Sequence, residues 1–178
     1  KYLEGSKEVL PLMSGFADKQ GFEKLLAARR TSVTDRSTLV EVLQQQYDQL
    51  RQAGAIIDES VASNISSLSS DSTFTVTTGH QLQLAGGPLF FTYKLISAIR
   101  LAEELRQQFA PLHVVPIFWL ASEDHDMVEI NHFNSRGRSY NWPTDYKGPA
   151  GKATCNGLDE VWSEVQHSLA GLPFAEEL

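Results

Sequence analysis

Glu123, Asp124, His125 and Asp126 follow Ser122 without a break in "SEDHD". Carboxylates this close repel one another, which raises some of their pKa values and brings proton transfer within reach of neutral pH. Asn131 and His132 come next, in "EINHF", as further site residues or a local cap. With His80 or His132 the same cluster offers metal ligands, although the spacing of His125 and His132 matches no standard zinc pattern. The plain alternative is a solvated acidic turn. A second group lies upstream in "TTGHQLQLAGGPLFFTYK", Thr77 to Lys94. Gly79, Gly86 and Gly87 let backbone approach a ligand closely, and a helix opening after Pro88 points its free N–H groups toward that space. Phosphate or carboxylate suits such a place, with His80 and Lys94 adding charge or a proton. Neither the G-x-G-x-x-G nor the P-loop pattern is met, so an anion or nucleotide site and a tight strand-to-helix turn both stand.

Both groups need elements to hold them. "TFTVTT" from Thr73 alternates apolar residues with threonine, the period of a strand. Residues 79–87 then read as a glycine-rich turn, and Leu89 to about Phe109 as a long helix with a wide apolar face. "HVVPIFWLAS" at 113–122 is apolar on both faces, as a buried parallel strand is. Pro116 cannot donate to a ladder, which predicts an edge or a bulge there. Strand, helix and strand make one βαβ unit. In open α/β sheets ligands bind beyond the carboxyl ends of the strands, and both chemical groups fall there.

Residues 1–68 read as helical. "TLVE" at Thr38–Glu41 has capping-box form. Leu39, Val42, Leu43, Gln46, Tyr47 and Leu50 then share one face, and Gly54 ends that helix. Val61, Ile65 and Leu68 continue at helical spacing. Residues 135–157 are rich in Gly, Pro, Asn and Arg and read as irregular or as short strands. "LDEVWSEVQHSL" at 158–169 is an amphipathic helix.

Composition sets outer bounds. The 178 residues are 42% hydrophobic with a net charge of −7. An acidic balance argues against nucleic-acid or anionic-membrane binding, since both need a basic face. Cys155 is the only cysteine, which excludes an internal disulfide and suits a reducing cytoplasm. No secretory signal is legible in residues 1–15, and the apolar run Leu89–Leu101 is too short to span a membrane. Starting at Lys1 and ending "PFAEEL", the chain reads as a piece of a longer one. Cys155 has no sequence-evident activating base and reads as inert. Trp119 and Phe118 read as core, and Trp142 as undecided between core and site. Arg136 and Arg138 read either as solvated or as an anion clamp.

"TGHQLQLAGGPLFFTYKLISAIRLAEEL" followed by "VPIFWLASEDHDMVEINHF" resembles the proposed cysteine ligases of bacillithiol biosynthesis, the BshC family. Both blocks are long, ordered and correctly separated, and they cover about residues 76–133; "LVEVLQQQY" and "GLPFAEEL" also fit loosely. The resemblance implies an α/β fold: a Rossmann-like three-layer core, similar to class I aminoacyl-tRNA synthetases, of which this chain holds the N-terminal part. It implies a helical segment at 1–68, a βαβ unit at 69–134 and a connecting segment with a helix at 135–178. The rest of the core and a dimerising C-terminal coiled coil would lie outside the chain. The implied reaction adds L-cysteine to glucosaminyl-malate in the cytoplasm, with ATP or ADP and magnesium as the expected cofactors and no resident metal. Asp124, His125, Asp126 and His80 stand where the resemblance implies catalytic residues. Gly79, Gln81, Gly86, Gly87, Tyr93, Lys94, Glu123, Asn131 and His132 stand at the implied substrate or nucleotide positions. Two rivals remain: a metal-dependent hydrolase or amidase using the acidic loop, and a non-catalytic protein-binding scaffold.

Overall fold

Side-chain caps set where the N-terminal helices begin. In this computed structural model, which describes residues 1–30, 32, 34–173 and 175, a single 3-10 stretch at Lys7–Leu12 precedes helix α1, Lys19–Arg29. Asp18 caps α1 by accepting the Gly21 N–H at 2.7 Å. Helix α2 spans Arg36–Gln52 and helix α3 Glu59–Ser67, the latter capped by Asp58. The capping box expected at Thr38 is not the start of α2; Asp35 is. Its carboxylate accepts the Thr38 N–H at 3.0 Å and the Ser37 and Thr38 hydroxyls at 2.7 Å each. The Thr38 amide, then those two hydroxyls, hold the Asp35 carboxyl at about 2. A carboxylate three residues upstream is the stronger acceptor for an orphan amide, so the threonine lies inside the first turn. Gly54, at φ +89°, ends α2 as expected.

The chain forms two compact units, Lys1–Thr75 with Glu104–Val115, and Val76–Glu103 with Pro116–Leu178. In the first, Ile65, Leu68, Leu105, Val114 and Val115 are buried. Arg36 ties this unit together: its guanidinium donates to the Leu68 carbonyl at 2.8 Å and the Thr73 carbonyl at 3.1 Å. The apolar face of α2 is only partly covered, since Leu39, Val42 and Leu50 stay exposed.

Strand β1, Thr73–Gln81, is hydrogen-bonded to strand β2, His113–Ala121, and helix α4, Leu89–Gln108, connects them. The His113 N–H bonds the Ser72 carbonyl at the start of the pair, and Gly79 packs on Trp119 near its end, so the strands run parallel. Here the sequence expectation needs correcting. Gly79, His80 and Gln81 belong to the strand, not to a turn. Gly79 is there because a Cβ would sit 2.7 Å from the Trp119 carbonyl oxygen, inside van der Waals contact. Pairing with β2 overrides the low strand propensity of glycine. Trp119, expected in the core, is 59% exposed.

The second unit has its own small core of Met127, Ile130, Trp142 and Ala150, with Leu82, Leu84, Tyr146 and Leu158 packed against it. Helix α5, Met127–Ile130, leads into strand β3, His132–Ser135, which pairs antiparallel with strand β4, Arg138–Asn141. Arg136 and Gly137 make the two-residue connection, both with positive φ, +53° and +79°. This backbone matches the twist of the flanking strands. Helix α6 covers Leu158–Leu169, as its amphipathic pattern predicts. Of the tail "GLPFAEEL", only Gly171, Leu172, Pro173 and Ala175 lie among the described residues. Among the described residues no helix is long and apolar enough to cross a membrane.

Candidate functional site

Gln81 ends β1 and reaches across to the segment that follows β2. Its amide Nε2 donates to Asp124 Oδ2 at 2.8 Å and to Glu129 Oε2 at 3.0 Å. Both hydrogens of one amide group are thus shared between two carboxylates. Asp124 is anchored from other sides as well. Its Oδ1 accepts the Asp126 N–H at 3.0 Å, and its carbonyl accepts the Ala150 N–H at 2.7 Å. The Gly151 N–H meets the Ser122 carbonyl at 2.8 Å. These bonds fix the acidic loop against the 3-10 turn Ala150–Lys152.

Mutual repulsion was expected to raise carboxylate pKa values in this loop. At Asp124 the opposite holds. The Asp126 amide first, then the Gln81 amide, hold its carboxyl below the ordinary aspartate value of 3.8, and the His125 charge adds to this. Asp124 is therefore an ionised anchor at neutral pH. Since its folded-state pKa is depressed, its stabilising contribution is complete above 3.8 and is lost as pH falls through the lower folded value. We expect the Asp124 carboxyl resonance to titrate with a midpoint below 3.8, with the Gln81 side-chain amide signals moving in step. A midpoint at or above that value would remove the anchor role.

A cleft of about 910 Å³ opens at the carboxyl end of β1. His80, Gln81 and Glu129 line it together with His132. Gln83, Gly87 and Phe90 come to it from the glycine-rich turn and the start of α4, and Phe133 and Trp162 from β3 and α6. The rings of Phe133 and Trp162 lie 6.0 Å apart, and Phe133 stacks on Tyr140 at 5.1 Å. His80 is bracketed by Phe90 and Phe91, at 5.1 and 5.4 Å between ring centroids, and its Nδ1 lies 3.2 Å from the Gln81 carbonyl.

The glycine-rich stretch is tighter than a simple cradle. Ala85, Gly86 and Gly87 all have positive φ. The Gly87 N–H is bonded to the Leu84 carbonyl at 3.0 Å. A Cβ on Gly87 would meet the Gln83 side chain at 2.9 Å, whereas one on Gly86 would meet nothing within 4 Å. Lys94 does not line the cleft. Its ammonium donates to the Gly79 carbonyl at 2.8 Å and lies 5.9 Å from the Phe90 ring centre, so it secures the end of β1. Tyr93 is exposed on α4 and also stands apart.

Of the residues singled out from the sequence, the cleft brings together His80, Gln81, Gly87 and His132. Asp124 is joined to it through Gln81, while Glu123, His125 and Asp126 are exposed in the loop and do not line it. Asp126 precedes α5, with its carbonyl accepting the Glu129 N–H at 3.2 Å. Asn131 serves the end of α5: its carbonyl accepts the Trp142 N–H at 2.7 Å, and its side-chain amide donates to the Met127 and Val128 carbonyls at 3.1 and 3.3 Å. Trp142 proves to be core, and its indole N–H donates to the Asn156 carbonyl at 2.7 Å. Arg138 pairs with Glu164 at 2.8 Å and covers the Tyr140 ring. Glu129, Gln83, Phe133 and Trp162 escaped the sequence reading. The Gln81–Glu129 contact joins residues 48 apart in sequence, and no local pattern signals it. Among the described residues, no three of His, Cys, Asp or Glu converge as a metal site.

Comparison with known proteins adds relatives. All 178 residues match the family described as "Bacillithiol biosynthesis BshC, N-terminal Rossmann-like domain". The chain is similar to "Putative cysteine ligase BshC" of Cytophaga hutchinsonii, 40% identical over 165 residues, covering 93% of this chain and 31% of that protein. The protein of that name from Flavobacterium johnsoniae is 39% identical over 161 residues, covering 89% of this chain and 30% of its own. The Bacillus cereus counterpart is 37% identical over 131 residues, covering 74% and 23%. The chain thus spans about 30% of the length of the first two.

Proposed function

The chain belongs to the family of N-terminal Rossmann-like domains of BshC proteins, and from that premise we propose that it provides a substrate cleft of a ligase joining L-cysteine to glucosaminyl-malate. The observation that carries this reading is the cleft at the carboxyl end of β1, where Gln81 links the strand end to Asp124 and Glu129. Ligands of open α/β sheets bind at that position. Forming the amide makes one C–N bond at the activated cysteine carboxyl and breaks that carbon's C–O bond to the leaving group, and the attacking amine gives up a proton. His80 and His132 line the cleft, and imidazole is the side chain whose ordinary pKa suits such a transfer near neutrality. Asp124, ionised and anchored, holds the loop rather than moving a proton.

ATP or ADP with magnesium would supply activation of the cysteine carboxyl. The described lining does not fit nucleotide phosphates: it includes neither Lys nor Arg, and the Gly87 amide and the Lys94 ammonium already have partners. We therefore assign the nucleotide to a place outside this cleft. A cytoplasmic homodimer joined by a coiled coil outside this chain belongs to the same proposal. No observation favours a metal-dependent hydrolase, and an aromatic cleft with polar groups suits a small molecule better than a protein partner.

Full-length protein incubated with L-cysteine, ATP, magnesium and glucosaminyl-malate should form bacillithiol, read by mass spectrometry of the derivatised thiol. Correctly folded protein that leaves both substrates unjoined would overturn the ligase reading.

A further inference from the structure

The cleft carries a charge that the ligase reading does not use. Among its described lining residues Glu129 is the one Asp, Glu, Lys or Arg. Around it stand aromatic rings, two imidazoles and side-chain amides. Its Oε2 takes one hydrogen from Gln81, at 3.0 Å. An ionised carboxylate has acceptor sites on both oxygens, so this bond leaves Glu129 able to accept from a ligand as well. The Gln81 bond also fixes the direction of an otherwise flexible side chain. Phe90, Phe133 and Trp162 bring aromatic faces to the same cleft. Aromatic faces attract cations in their own right. Phosphate groups find the reverse: a carboxylate and neither Lys nor Arg among the described lining.

We propose that Glu129 is the specificity-determining residue of this cleft, accepting the ammonium group of a primary-amine ligand, with Gln81 as its positioning residue. This rests on the ligase reading for the identity of the amines, since each substrate of that reaction carries one. The chemistry shared by the two is a primary ammonium on a small polar body, and the cleft residues alone do not favour one source over the other.

Two matched pairs of probes test this on the full-length protein by isothermal titration calorimetry. L-cysteine is compared with 3-mercaptopropionate, which lacks the amine, and glucosamine with glucose. At least one amine should bind tenfold or more tightly than its amine-free partner, and the pair that shows the difference identifies the source. Glu129→Gln should erase that preference, Glu129→Asp should restore part of it, and neither should move the melting temperature or ATP binding. A preference absent from both pairs, a preference that survives Glu129→Gln, or a Glu129→Gln protein that loses ATP binding or stability along with it would each overturn the assignment. Bacillithiol formation by the wild-type protein is scored separately, so failure of the ligase reading leaves this result interpretable.

Discussion

Gln81→Leu is expected, on the ligase reading proposed above, to lower kcat/KM for bacillithiol formation by the full-length protein on the order of tenfold to a hundredfold, the range for removing a neutral donor from charged acceptors. Leucine keeps roughly the volume of glutamine but has no N–H. Two bonds are lost at once, to Asp124 at 2.8 Å and to Glu129 at 3.0 Å. The two carboxylates then face each other with no donor between them. Asp124 keeps its bond from the Asp126 amide, so the loop should not unfold, and circular dichroism should stay close to wild type. The change should appear mainly in KM for the amine substrate if Glu129 loses its direction. Wild-type kinetics in this variant would show that the clamp has no part in the site.

Trp142→Ala should destabilise the protein by about 3–5 kcal/mol, the usual range for deleting a large buried aromatic side chain. Trp142 is 6% exposed and sits in the core with Met127, Ile130 and Ala150. Every one of these neighbours adjoins a segment that shapes the site. Met127 and Ile130 bound the helix that carries Glu129, and Ala150 donates its amide to Asp124. Whole-domain stabilities are commonly only 5–15 kcal/mol, so a loss of this size is a large share. Trp142→Phe should cost much less, keeping the ring but losing the 2.7 Å bond to the Asn156 carbonyl. Denaturant titration of the full-length protein, with hydrogen exchange over residues 127–158, gives both values. A loss under 1 kcal/mol for the alanine variant would mean that this core is not what holds the segment.

Local patterns in the sequence disclosed the elements but not their ends. The period-two threonines at 73–78 and the long apolar helix after Pro88 gave the βαβ unit with nearly correct limits, and the amphipathic helix at 158–169 was legible residue by residue. What failed in each case was decided by partners distant in sequence or by side-chain competition. Gly79 reads as a turn residue until Trp119 is seen to require its missing Cβ. Thr38 reads as a cap until Asp35 is seen to accept its amide. The hairpin at 132–141 could have been found: Arg136–Gly137 lies between "HFNS" and "RSYN", and glycine is the usual mark of a positive φ there. The site was legible in part for the same reason. The blocks holding His80, Gln81 and His132 are local, whereas Glu129, Phe133 and Trp162 enter the cleft by folding alone.

Sharing one amide between two carboxylates also exposes the protein to chemical ageing. Deamidation of Gln81 exchanges its NH2 for an oxygen and adds a negative charge. At neutral pH the new glutamate would offer Asp124 and Glu129 no hydrogen and would repel both. A lesion of a single functional group, invisible in the length of the chain and nearly so in its mass, would turn the clasp at the end of β1 into a wedge.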